Sequence, residues 1–167
     1  MNVDSIISCN RPWLHLISTS EFEMIDQTIT NLDKQLIHRF SGIKMRTLDE
    51  LFNVYQQEFQ FPSYFGYNWP GFSELMETLE NLPSPSHLTI IENAEQMLVN
   101  DPGETKTFLR QINNIGRYWS TSVGLSKDWG SGSVSFNTVL VADSLSIQKF
   151  ANLAPQGVVE EVGTAEN

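Results

Sequence analysis

Short β-rich runs and amphipathic helical stripes alternate along this 167-residue chain, and that alternation constrains the fold more than any other feature. Residues 13–17, 35–40, 87–92 and 137–142 read as short strands: 13–17 alternates moderately, and 87–92 is a β-rich run consistent with a buried parallel strand. Between them, apolar residues recur at helical spacing: Phe22, Ile25, Ile29 and Leu32, then Leu48, Leu51, Phe52 and Tyr55. Phe72, Leu75, Met76 and Leu79 make a third stripe, and Phe108, Ile112, Ile115 and Trp119 a fourth. Strand and helix in turn predict an α/β layer fold with a small, mainly parallel sheet packed by helices.

Local signals place the boundaries. Ser20 with Glu23, and Thr47 with Glu50, match the capping-box pattern at two helix starts. Asn68 is a favoured N-cap, and Pro70 fits the first turn, where N–H groups have no intrahelical partner. That helix is expected to run from 68 to 82 and to stop at Pro83-Ser84-Pro85. Residues 120–135 form a Ser/Gly-rich connection, long enough to be expected mobile or functional. A short helix is expected over 145–153, and 158–167 is an acidic, frayed tail. Residues 1–157 are therefore taken as one domain.

Composition bounds the partners. The net charge is −10, so direct nucleic-acid binding, which needs clustered Lys and Arg, is not expected. Cys9 is the only cysteine, which suits a reducing cytoplasm. The first residues lack a basic start and an apolar run, and no stretch approaches membrane-spanning length, so no membrane partner is expected. The charge is also unevenly placed. From Thr47 to Thr105 there is no Lys or Arg, yet this stretch holds 10 of the chain's 20 carboxylates. Such a concentration costs stability through self-repulsion, and its plainest use is to meet a positively charged partner.

At the centre of that stretch lies Phe61-Pro62-Ser63-Tyr64-Phe65-Gly66-Tyr67-Asn68-Trp69-Pro70-Gly71-Phe72-Ser73-Glu74-Leu75. It joins an aromatic loop to a helix whose outer face carries Pro70, Glu74, Glu77 and Asn81. A carboxylate on a rigid helix mimics phosphate and makes charge-assisted hydrogen bonds to Arg. Tyr and Trp nearby suit an interface. Gly66 is expected to serve either a positive φ or a close backbone approach.

This motif, followed by an acidic amphipathic helix, resembles the barstar family of ribonuclease inhibitors, and the resemblance covers about 34–144. It implies barstar-like layers, with residues 1–33 added as an N-terminal strand–helix extension. It also implies a cytoplasmic immunity protein that plugs the active site of a ribonuclease toxin, a basic protein. Of the family's two acidic helix positions, four apart, the second is Glu74 here, while the first is Pro70. The aromatic pair before the glycine is matched by Tyr64 and Phe65, and an acidic contact before the next helix by Glu104. The partner-binding set so implied is Tyr64, Phe65, Tyr67, Asn68, Trp69, Pro70, Ser73, Glu74, Glu77 and Glu104.

Other readings compete with this one. Glu74, Glu77 and Glu80 could be an ordinary solvated helix face, although no Lys at i+4 supports them. Asn68 could act only as a cap. An enzyme using Glu74 and Glu77 on a glycan is disfavoured: i,i+3 spacing puts both acids on one convex face, whereas hydrolysis needs them across a cleft. A barstar-fold module for a basic partner other than a nuclease stays open. His15, His38 and His87 have no ligand spacing and are expected to be packed or at the surface. Gly130-Ser131-Gly132-Ser133 lacks the Lys-Ser/Thr ending of a phosphate loop. No catalytic residue, metal or cofactor is assigned.

Overall fold

The β-rich runs become four strands: β1 (Leu14–Ser18), β2 (Leu36–Ser41), β3 (Ser86–Glu92) and β4 (Ser135–Ala142). The computed structural model describes residues 2–79, 82, 84–121 and 133–155. The expected Ser/Gly-rich connection, apart from its ends, and the acidic tail lie outside the described residues. The strands form one all-parallel sheet in the order β1-β4-β3-β2. Parallel strands need crossovers, and the helices that supply them cover both faces. They are α1 (Thr19–Thr30), α2 (Leu48–Glu58), α3 (Trp69–Met76) and α4 (Thr105–Ser120), with α5 (Ser144–Leu153) closing the described chain.

Side chains alternate across the sheet, and the two faces bury different cores. One face gathers Leu14, Leu16, Phe40, Ile91, Phe136 and Leu140 beneath α2, α3, α4 and α5. The other gathers Ile17, Leu88, Ile90, Val139 and Val141 beneath Ile6, Phe22 and Ile29. Ile6 comes from a 3₁₀ turn at Ser5–Ile7 and the last two from α1. The strand and helix expected over residues 1–33 are thus an edge strand and the cover of the second face. Gly116 lets α4 lie against the sheet, because a Cβ there would collide with Trp13.

The structure corrects two boundaries. The capping box of α1 is Ser18 with Glu21, not Ser20 with Glu23. The last residue of β1 is itself the cap, so the helix starts without a linking loop. The box at Thr47 and Glu50 stands as expected. The motif helix is shorter than 68–82: α3 ends at Met76, and Glu77 is its C-cap. Trp119 Nε1 donates to the Met76 carbonyl at 2.9 Å, taking up one of the terminal acceptors. The chain then turns through Leu79, whose φ of 32° carries its side chain into the core without continuing the helix. Glu80 and Asn81, expected on the outer face, lie outside the described residues.

Candidate functional site

The aromatic loop leaves α2 at Phe59, which packs on Tyr55, and Gln60 turns the chain at a φ of 53°. The Phe61 N–H then donates to the Gln56 carbonyl at 2.9 Å, and the Phe65 N–H to the Pro62 carbonyl at 3.0 Å. Phe61 and Phe65 both point inward, with their rings edge to face at 5.2 Å. Phe65 is only 5% exposed, so it supports the loop from beneath and presents no ring to solvent. Tyr67 stacks on Phe65 at 5.2 Å, and its hydroxyl donates to Gln56 Oε1 at 2.7 Å. Tyr64 stands free at 79% exposure, and Tyr67 is exposed by 37%. The aromatics are therefore split, with Tyr64 and Tyr67 outward, Phe65 inward and Trp69 half-buried.

The left-handed residue of this turn is Tyr67, at a φ of 51°, not Gly66. Gly66 serves the close approach, since a Cβ there would lie 2.8 Å from Asn68 Nδ2. Asn68 is the cap of α3, its Oδ1 accepting the Gly71 N–H at 2.9 Å. Pro70 occupies the first turn and is exposed.

Two contacts fix α3 against α4 and the residue that precedes it. Trp69 Nε1 donates to Glu104 Oε2 at 2.9 Å, and Ser73 Oγ donates to Gln111 Oε1 at 2.7 Å. Trp69 also stands edge-on to Phe52 at 4.9 Å. The helix is thereby held on two sides, which lowers the ordering cost of any docking event. Glu74 projects from it into solvent, with no hydrogen bond or ion pair among the described residues. Glu77 is half-buried at the C-cap, and partial desolvation raises its carboxyl above the usual range.

The carboxylates of the cation-free stretch fall into two groups. Glu50 caps α2, and Asp101 Oδ2 accepts the Leu48 N–H at 2.8 Å at the same helix start. Glu58 bonds His38, Glu92 pairs with Arg39, and Glu104 holds Trp69. These five have internal roles. Asp49, Glu74, Glu77 and Glu95 show no such partner among the described residues. The structure therefore brings Tyr64, Tyr67, Pro70, Glu74 and Glu77 onto the loop and helix exterior. Phe65, Asn68, Trp69, Ser73 and Glu104 instead spend their rings or polar atoms holding that exterior in place. Gln56 and Gln111 share this supporting work. The only sequence signal for Gln111 is its position beside Ile112 on the inner side of α4. For Gln56 there is none without the loop's path.

No curated protein matches the chain. The family model described as Barstar (barnase inhibitor) matches residues 35–131, more than half of the chain. That span takes in β2, the helices and loop that build this site, and β3. Sheet, motif and match agree, and the chain belongs to the barstar family.

Proposed function

We propose that this protein is a cytoplasmic immunity protein that occludes the active site of a ribonuclease toxin. The family is one of ribonuclease inhibitors rather than enzymes. The observation that carries the finer reading is Glu74. It is an unpaired, exposed carboxylate on a helix pinned by an Asn cap and by hydrogen bonds to Glu104, just before α4, and to Gln111 on α4. A ribonuclease holds phosphate with cationic side chains. Glu74 offers them a charge-assisted partner in a rigid frame, and Tyr64 and Tyr67 offer amphipathic area beside it. Pro70 brings no charge to the first turn, so the cation cluster it faces differs from one built for two acids four residues apart.

The reading is tested by mixing the protein with a barnase-type ribonuclease and with the basic proteins it captures from its own source. Nuclease activity is measured with and without it. Inhibition with an association rate that falls steeply with added salt supports the reading, because steering is screened over a Debye length of about 8 Å. Capture of a basic protein without nuclease activity would instead identify a barstar-fold interaction module. A flat association rate across a salt series would sink the electrostatic mechanism.

A further inference from the structure

Where the last turn of α2 meets β2 and β3 lies a polar chain of three side chains outside the partner-binding set. Glu58 Oε1, on the last turn of α2, is 2.8 Å from His38 Nδ1 on β2. His38 Nε2 is 3.1 Å from His87 Nδ1 on β3. The two imidazoles are stacked 9° from parallel, at a centroid separation of 5.4 Å. Phe59 lies on the outer side of His38 and Phe136 on that of His87. Both histidines are buried, whereas Glu58 is 42% exposed. Glu58 lines an open cleft of about 480 Å³ with Arg39, Lys44, Gln57, Glu92 and Asn93, so water reaches the chain at its carboxylate end.

We propose that Glu58, His38 and His87 form an acid-operated latch that holds the root of the aromatic loop closed at neutral pH and releases it on acidification. The argument is a proton count. At 3.1 Å only one of the two facing nitrogens carries a hydrogen. With both rings neutral, His38 Nδ1–H donates to Glu58, and His38 Nε2 accepts from His87 Nδ1–H. One added proton keeps the contact in either of two ways: on His87 Nε2, which leaves a buried cation with no counter-charge, or, with a change of His87 tautomer, on His38, whose cation is then paired with Glu58. A second sets N–H against N–H and buries two like charges, and the contact breaks.

Arg39, Lys44 and Glu92 share the outer cleft with Glu58, and none of them is bonded to either histidine among the described residues. Among the described residues, Phe136 on β4 stacks on His87, and Phe59 at the start of the loop packs on His38. From α2 the only other titratable group in this core is Tyr55, a phenol held neutral by burial. Arg39 points to the other face of the sheet, where it meets Asp26 and Phe22. Burial lowers both histidines, and His38 lowers His87 further by charge repulsion. Phe59, which rests on His38, is the residue where the aromatic loop leaves α2. Opening the contact therefore frees the base of the segment that bears Tyr64 and Tyr67. That consequence for the partner surface rests on the function proposed above; the latch does not.

The test uses the free, full-length protein. Amide hydrogen exchange, corrected for intrinsic rates, is compared at about pH 7.5 and about pH 5, on either side of the free histidine value. Residues 57–67 are expected to lose at least about tenfold of their protection, while α1 and β4 keep theirs. In His87→Phe one of the two protons taken up on opening has no acceptor, and the acid response diminishes. In Glu58→Gln, at an exposed position, the His38 cation loses the counter-charge that holds it in the closed form, and opening moves to higher pH. Unchanged protection over 57–67, or a uniform loss across the protein, overturns the latch. So does an undiminished response in His87→Phe, or an unmoved midpoint in Glu58→Gln.

Discussion

The two faces of the sheet are covered by different kinds of side chain. Beneath α2, α3 and α4 the core is aromatic: Phe52 alone meets Phe65, Tyr67, Trp69 and Phe72 within 6.2 Å. Beneath α1 it is aliphatic, with Phe22 the one aromatic among its buried residues. Aromatic pairs prefer particular offsets and angles, so the first face fixes directions as well as volume. Aliphatic packing fills space with less directional demand. The difference teaches where precision is needed: the aromatic face carries the loop and helix that expose Glu74. The aliphatic face is closed by residues that precede the family match.

The largest expected effect breaks this comparison most directly. Phe52→Ala removes the ring on which loop and helix converge and is expected to cost ~3–5 kcal/mol of stability. Ile29→Ala, buried on the second face, is expected to cost ~2–5 kcal/mol through the same loss of packing. The two should separate in function. Denaturant titration gives the stability loss, and calorimetry on the folded fraction gives affinity for the captured partner. Phe52→Ala should weaken binding and Ile29→Ala should leave it unchanged. Equal losses of affinity would mean that the faces are not divided in this way.

Glu74→Ala sharpens the comparison from the surface. The carboxylate has no internal partner, so its removal should leave the melting transition in place. Partner binding should weaken by at least ~2 kcal/mol, the scale of an interface hot spot. An unchanged calorimetric affinity would remove Glu74 from the site.

The third effect runs with pH. Burial and the charge of His38 lower His87 to about 3, and burial lowers His38 as well. A histidine with a depressed folded value binds its proton in the unfolded chain first, so stability is greatest above the unfolded value of about 6.5. It should fall as pH drops below that, by about 1.4 kcal/mol per pH unit for each proton taken up on unfolding. Denaturant midpoints between about pH 7.5 and pH 5 measure the slope. A stability that stays level through this window would contradict the neutral burial of the pair.

These regions were unequally legible in the sequence. Thr47 and Glu50 announce the start of α2 because a capping box needs only residues three apart. The inner stripes of α2 and α4 were readable for the same reason, since helical periodicity is local. The end of α3 was not, because it is set by Trp119, 43 residues away, reaching the Met76 carbonyl. Ser18 and Ser20 offer the same local pattern, and only the end of β1 decides between them. The histidine pair depends on strand register: His38 lies opposite Thr89, and His87 opposite Leu36, on one face of the sheet. Nothing in the spacing of 38 and 87 announces that. The charge bias was visible, but which acids were free was not. Glu104 and Asp101 found their partners, Trp69 Nε1 and the Leu48 N–H, only in three dimensions.

The smallest expected effect concerns how the second face is fastened. Arg39 sits on β2, within the matched span, and its guanidinium meets Asp26 and Thr30 on α1. It also reaches Glu92 on β3 at 3.4 Å and lies 5.9 Å from the centre of the Phe22 ring. One side chain thus ties the N-terminal cover to the edge of the sheet. The groups are partly exposed, so the ion pair is screened and should contribute only ~0.2–1 kcal/mol. Asp26→Asn keeps the shape of the side chain and removes its charge. A drop of this size, shrinking as salt is raised, identifies the clasp as electrostatic. Arg39→Met removes the charge, the hydrogen bonds and the contact with Phe22 together, and should cost more than Asp26→Asn at every salt concentration. If both variants match the wild type at low salt, α1 is held by its apolar side chains, Phe22, Ile25 and Ile29, and the aliphatic face needs no polar fastening.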